Sequence, residues 1–261
     1  MFAFLKRLFS PARLSVEAAS FSACGPVRKD NQDHLMVRRK RLTFCVADGM
    51  GGGEGGAEAS RIVCDELSST VAQYEDFGER VRACADAIRT ANAAIRAHAA
   101  KAGYRQMGTT VALLALDGED GRLGVVGHVG DSRVYRFRQG ELTRLTHDHT
   151  LVGEFNRNPA ARKLAGDLAA RTSALAHVLT RAVGIEREVQ PEWRKLDVRS
   201  GDVYLLCSDG VYNMVSDEQM REVLSVGGAA RESVARIAGL VESAGATDNY
   251  SLIVVKTEGA R

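Results

Sequence analysis

Four aspartates in this chain stand at the ends of apolar runs. The run Phe44-Cys45-Val46-Ala47 delivers Asp48 into a glycine-rich turn, Gly49-Met-Gly-Gly-Gly-Glu-Gly-Gly56. Val203–Ser208 ends in Asp209-Gly210, and Leu123–Val129 runs into Gly130-Asp131-Ser132. Asp248-Asn249 stands just ahead of Ser251–Val255. A carboxylate at the end of a buried strand is a place where a hard cation could sit. Glycine lets backbone amides and carbonyls approach a ligand, because no Cβ stands in the way. One Asp-Gly by itself is ordinarily a hairpin turn; the recurrence of the design is what points to a site.

Asp33, at the end of the polar connection Val27–Asp33, adds a fifth carboxylate. If the ends of the apolar runs converge, these groups repel one another and raise each other's pKa unless a cation neutralises them. Oxygen-only ligands favour Mg²⁺ or Mn²⁺ over zinc. Two such ions about 4 Å apart can hold a bridging hydroxide for in-line attack on phosphorus. Arg28 supplies the complementary part, since a guanidinium binds phosphate bidentately.

The elements that must position these residues follow from periodicity and punctuation. Ser15–Cys24 reads as a strand closed by Gly25-Pro26, and Leu35–Val37 opens a second, with Arg38–Arg41 as a solvated hairpin turn. Glu54–Tyr74 and Glu79–Lys101 carry apolar residues at helical spacing and predict an antiparallel helix pair. Met107–Leu116, Arg122–Val129, Arg133–Arg138 and Glu141–Leu145 predict a strand meander, turning at Asp117-Gly118, Gly130-Asp131 and Gln139-Gly140. Thr150–Gly184 is irregular, with Asn158, Pro159 and an alanine-rich helical stretch, and has the length of a lid. Val189–Leu196, Val203–Cys207 and Tyr250–Lys256 return to strand, around helices at Asp217–Ser225 and Ala229–Ser243. Strands and helices come in blocks, which predicts an α+β layered domain and not βαβ units.

Composition narrows the field. A chain of 261 residues with 45% hydrophobic content can bury a sizeable single core. The net charge of +2 does not suggest nucleic acid, and the basic run Arg38–Arg41 has no aromatic platform beside it. Five widely spaced cysteines without Cys-x-x-Cys fit free thiols in a reducing, cytoplasmic compartment. No apolar stretch approaches the ~20 residues of a membrane span. Phe2, Leu5 and Phe9 among Lys6, Arg7 and Arg13 form at most a weak membrane-surface helix; a docked or unstructured terminus is the expectation.

Rival motifs fail on context. Gly51, Gly53 and Gly56 make a formal GxGxxG, but two long helices follow before any strand, where a dinucleotide unit needs its next strand about 30 residues on. Walker A, GxSxG and HExxH motifs are absent, and none of the cysteines has an arginine six residues on.

Eight segments in order carry a resemblance. They are Val-Arg28-x-x-Asn31-Gln32-Asp33, Ala-Asp48-Gly-Met-Gly-Gly, Met107-Gly-Thr-Thr110, His128-Val-Gly-Asp131-Ser-Arg133, Leu-Thr146-x-Asp148-His-Thr, Leu179-Thr-Arg-Ala-Val-Gly184, Cys-Ser208-Asp209-Gly210 and Asp248-Asn249. The sequence resembles the bacterial metal-dependent serine/threonine protein phosphatases, type 2C, over residues 15–258, with residues 1–14 as an extension. The resemblance implies an α-β-β-α sandwich of two antiparallel sheets flanked by helix pairs. It implies hydrolysis of phosphoserine and phosphothreonine by water, without a phosphoenzyme. Asp48 would bridge two metals, with the Gly49 carbonyl on one of them. Asp209 and Asp248 would complete one metal, Asp33 would serve the other, and Asp131 with Asp209 would hold a third, weaker ion. Asn249 would support the ligands, Arg28 would grip the phosphate, and residues 150–184 would be the flap. Met50 stands where many eukaryotic relatives have a histidine proposed as general acid, and methionine cannot donate a proton. His34, His128, His147, His149 and His177 are expected to be structural, so the general acid is unassigned and metal-bound water is its substitute. Phosphorylated proteins and their Ser/Thr kinase are the implied partners of a monomer, with type VI secretion as one signalling context. A module that binds phosphoproteins without hydrolysing them is the alternative.

Overall fold

The computed structural model describes residues 14–51, 55–118, 122–157 and 178–259. Residues 1–13, on which the readings of the N-terminus fall, lie outside these, as do Gly53, Asn158, Pro159, the alanine-rich stretch and His177.

The apolar runs form strands β1 (Leu14–Ala23), β2 (Asp33–Arg38), β3 (Thr43–Gly51), β4 (Met107–Thr109), β5 (Val111–Leu116), β6 (Leu123–Val129), β7 (Arg133–Arg138), β8 (Glu141–Arg144), β9 (Glu192–Asp197), β10 (Val203–Cys207) and β11 (Tyr250–Gly259). The helices are α1 (Gly55–Gln73), α2 (Phe77–Ala102), α3 (Leu151–Arg157), α4 (Asp209–Tyr212), α5 (Asp217–Ser225) and α6 (Ala230–Ser243). Among the described residues two antiparallel sheets form, one ordered β1-β11-β10-β7-β8 and the other β2-β3-β5-β6-β9, with β4 paired to the end of β3.

The central strands are apolar on both faces because both faces are covered. Phe44, Val46, Leu114 and Leu116 meet Tyr204, Leu206, Ile253 and Val255 between the sheets. The alternate residues Cys45, Ala47 and Leu113 pack under α1 and α2 against Val63, Leu67, Ile88 and Ile95. On the other sheet Leu205, Leu252 and Val254 pack against Met220, Ile237 and Val241 of α5 and α6. Three apolar seams thus separate four layers in the order α-β-β-α. Local signals set the helix ends. Asp76 caps α2 through the Glu79 amide at 2.7 Å, Gly103 closes it in the left-handed region, and Ser216 with Gln219 forms a capping box on α5. The cysteines are free, and all but Cys24 are buried.

The expected meander does not hold. β5 and β6 pair in one sheet and β7 and β8 in the other, so Gly130-Asp131-Ser132 crosses between sheets and is not a hairpin turn. Gly130 makes the crossing with φ +93°, and a Cβ there would stand 2.6 Å from the Thr110 methyl. The run Met107–Leu116 breaks at Thr110, because Met107–Thr109 leaves the sheet to pair with Gly49–Gly51. The basic run is a short 3-10 turn, Arg39–Arg41, tied down by bonds from Arg39 to the Ala18 carbonyl and from Arg41 to Glu75.

Candidate metal centre and substrate cleft

All five aspartates arrive at one end of the sandwich. Asp33 and Asp48 are direct partners on β2 and β3. Asp209 follows β10 and Asp248 precedes β11, its neighbour in the other sheet, while Asp131 lies in the crossing. An open cleft there is lined by Arg28, Gln32, Asp48, Gly49, Met50, Asp209, Asp248 and Asn249. Gly49 is required by close approach: a Cβ would sit 2.0 Å from the Gly56 carbonyl oxygen and 2.6 Å from that of Gln32.

The electrostatics of the cleft are those of a carboxylate cluster short of positive charge. Burial, with the Asp209 charge, pushes Asp131 up to about 7. Burial raises Asp33 to about 6, against the opposing hydrogen bonds of Ser208 and Ser251. Burial and then the charges of Asp33, Asp209 and Asp131 hold Asp48 well above the usual carboxylate range. Asp33 Oδ2 accepts from Ser208 Oγ at 2.7 Å, whereas Oδ1 is buried without a hydrogen-bond partner. An orphaned buried carboxylate oxygen, in an all-oxygen donor set, fits a hard divalent cation. Arg28 caps the cleft, with Nη2 donating to Asp248 Oδ2 at 2.7 Å, and its half-exposed guanidinium also faces the charges of Asp209 and Asp48.

A layer of hydroxyl, amide and paired groups holds these carboxylates and the Arg28 loop in place. The Asp48 amide donates to Thr110 Oγ1 at 2.9 Å, and the Asp48 carbonyl accepts from the Thr110 amide at 2.8 Å and from Thr109 Oγ1 at 2.9 Å. Thr110 Oγ1 lies 2.6 Å from Ser132 Oγ, which links the Asp48 turn to the Asp131 crossing. Asn249 Oδ1 accepts from the Gln32 amide, and its Nδ2 donates to the Cys24 and Asp30 carbonyls, so it clamps the loop that carries Arg28. Arg133 pairs bidentately with Asp148 at 3.1 and 2.7 Å and lies 3.5 Å from the Tyr212 ring centroid. Met50 lines the cleft, and among the described residues no histidine does.

Sequence reasoning missed a second polar cluster at the base of the expected flap. His128 and His149 are buried and stack at 4.7 Å between centroids. Glu192 Oε1 lies 3.3 Å from His149 Nε2, short of hydrogen-bond geometry, and accepts from Arg157 at 2.6 Å and Arg181 at 3.1 Å. Arg181 also reaches Glu154 at 2.6 Å. Ligand atoms of His128, His149 and Glu192 come within 4.8 Å of one another. A metal is nevertheless disfavoured: His149 Nδ1 accepts the Gly130 amide at 3.1 Å, so the neutral ring keeps its proton on Nε2. Burial lowers His149 to about 4, which keeps it neutral. The cluster is a tie between α3, the segment around Arg181 and the start of β9. Arg181 and His149 sit inside quoted motifs, but Glu192 lies in a strand with no sequence signal of its own.

Fold and cleft together define a class: a two-sheet sandwich whose strand ends present an oxygen-donor cluster beside an arginine, as in the metal-dependent protein phosphatases. Residues 26–249 match the family model for Protein phosphatase 2C. The chain is 34% identical over 242 residues to the serine/threonine protein phosphatase PstP of Mycobacterium tuberculosis, an alignment that covers 92% of this chain and 45% of that protein. It is 29% identical over 248 residues to the protein phosphatase PhpP of Streptococcus pneumoniae, covering 92% and 97%. It thus spans about half the length of PstP and nearly all of PhpP. The structure superposes on PppA, a key regulatory component of T6SS in Pseudomonas aeruginosa, with a TM-score of 0.81 at 32% identity, covering 93% and 97% of the two chains. It superposes on the catalytic domain of PstP in complex with two manganese ions with a TM-score of 0.79 at 32% identity, covering 94% and 99%. This chain belongs to the protein phosphatase 2C family.

Proposed function

We propose that this chain hydrolyses phosphoserine and phosphothreonine in proteins, using divalent cations held by the converging aspartates. The observation that carries the reading is the meeting of Asp33, Asp48, Asp131, Asp209 and Asp248, from both sheets, beside Arg28. Asp48 and the Gly49 carbonyl hold the centre of the site, Asp209 and Asp248 complete one ion, and Asp33 serves the other. Asp131 with Asp209 takes a third, weaker ion. Manganese or magnesium bound there supplies Lewis acidity and an activated water for attack on phosphorus. Arg28, on the loop clamped by Asn249, orients the phosphoryl group through its fork of donors. With Met50 at the cleft wall, the proton for the leaving oxygen does not come from an imidazole at this position.

The partners in this reading are phosphorylated proteins and the Ser/Thr kinase that modifies them. The likeness to PppA supports a place in type VI secretion signalling. In this reading the protein acts as a cytoplasmic monomer.

The test is phosphate release from a phosphothreonine peptide, with Mn²⁺ and with chelator, beside Asp209→Asn. Release should require the cation and fall by more than about a hundredfold in the variant, since loss even of a supporting group around a metal costs up to that much. Calorimetry should show weaker Mn²⁺ binding by the folded variant. A folded, metal-bound protein that releases no phosphate would leave the phosphoprotein-binding module as the reading.

A further inference from the structure

A second groove opens across α4 from the carboxylate cleft. Asp209, the first residue of α4, lines the cleft, whereas Tyr212, its last, and Asn213 line the groove. The groove has a volume of about 550 Å³, and its walls also carry Arg133, Arg144, Asn156 and Arg157. Three guanidinium groups thus face it against one lining carboxylate, Asp148. Arg133 is committed, doubly bonded to Asp148 and stacked on Tyr212. Arg144 gives a single Nη1 bond of 3.1 Å to the same carboxylate, and its side chain is 37% exposed. Arg157 is 40% exposed and shares Glu192 with Arg181 and His149. Counting these partners and Glu154, four arginines share three carboxylates in direct ion pairs, with Asp131 a further negative charge near Arg133.

We propose that this groove is a subsite for an anionic group flanking the phosphorylated residue of the substrate, a side-chain carboxylate or a second phosphoryl group. The inference rests on the phosphatase reading for the neighbouring cleft. The geometry sets the reach. α4 has four residues and rises about 6 Å, and an extended peptide advances about 3.3 Å per residue. The anion therefore lies about two residues from the phosphorylated side chain. Arg144 is the principal contact, because a half-exposed guanidinium with one bond to Asp148 has donors to turn toward a ligand. It acts on substrate binding and touches no reacting atom.

The experiment uses four phosphothreonine peptides that differ in the flanking residues: alanine, glutamate, a second phosphothreonine, or lysine. For each, kcat/KM with Mn²⁺ and equilibrium binding by fluorescence anisotropy are measured on the full chain and on Arg144→Gln. Wild type should favour the glutamate peptide over the alanine peptide by about tenfold, the scale of one charge-assisted hydrogen bond. The difference should lie in KM and binding, not in kcat, and should shrink at high salt. Arg144→Gln should bring the ratio near one, Arg144→Lys should restore part of it, and Asn156→Asp should lower it independently by adding a like charge to the wall. A preference confined to the doubly phosphorylated peptide would assign the subsite to phosphoryl groups, and one shared with glutamate to anions in general. Equal kcat/KM and equal binding across the peptides in wild type would overturn the proposal while leaving the phosphatase intact, as would a preference that survives Arg144→Gln. If no peptide is hydrolysed, the function falls, and the binding ratio still decides the groove.

Discussion

Asp33, Asp48 and Asp131 hold their protons more tightly in the fold than in an open chain, because burial and one another's charges oppose ionisation. A carboxyl raised in this way adds stability that is complete below its unfolded pKa near ~3.9 and is lost as pH rises through the folded value. For Asp33 that window ends at about 6 and for Asp131 at about 7. Asp33 alone accounts for about 3 kcal/mol, at ~1.4 kcal/mol per pH unit. Chelated protein should therefore melt at progressively lower temperature between about pH 4 and pH 7. Saturating Mn²⁺ should abolish or reverse that slope, since the cation competes with protons for the same oxygens. Thermal melts across pH with and without chelator test this, and a flat chelated profile would contradict it. The aspartates themselves were legible as residue types at the ends of apolar runs. Their supports were not: Ser208, Thr110 and Ser132 are ordinary hydroxyl residues until the fold brings them to Asp33 and Asp48.

The tie through Glu192 belongs to the scale of elements. It joins α3, the strand start at β9 and the segment around Arg181 through side chains between a quarter and two-fifths exposed. Solvent screening limits such a tie to roughly 1 kcal/mol. Arg181→Ala should therefore barely change the global melting temperature. It should speed limited proteolysis between α3 and β9 by about fivefold, because local opening responds to local stability. Unchanged cleavage would show that the segment around Arg181 is held by other contacts. Sequence periodicity found the long helices α1 and α2 and most of the strands. It did not find α3, nor α4, which has four residues, too few for a helical period to show. It also read β4 and β5 as one run, because strand propensity says nothing about which neighbour a strand pairs with.

At the scale of the whole molecule, two sheets share one inner seam, and each contributes part of the carboxylate set. Leu114 lies fully buried in that seam with Phe44, Leu206 and Ile253. Leu114→Ala should cost about 2–5 kcal/mol in denaturant unfolding with little change in slope, since the strands lining the seam are held in their ladders and relax only partly around the lost side chain. A loss below about 1 kcal/mol would mean that the sheets close over the cavity. Among the described residues every strand belongs to one of the two sheets or pairs with one, so the unfolding should register as a single transition.

The sequence by itself determined the residue types of the site, a layered α+β domain through the blockwise order of strands and helices, and, through eight ordered segments, the family resemblance that implied four layers. Hydrophobic period and turn chemistry are local properties, and they can be read along a chain. Which sheet each strand joins was decided only by tertiary structure, because Gly130 crosses where an adjacent hairpin is the local default. The same holds for the clamp that Asn249 places on the Arg28 loop, 221 residues from Arg28 in sequence. The Glu192 tie and the arginine-lined groove beside α4 are likewise products of packing. Charges distant in sequence become neighbours only when the seams close, and no window of the chain records that.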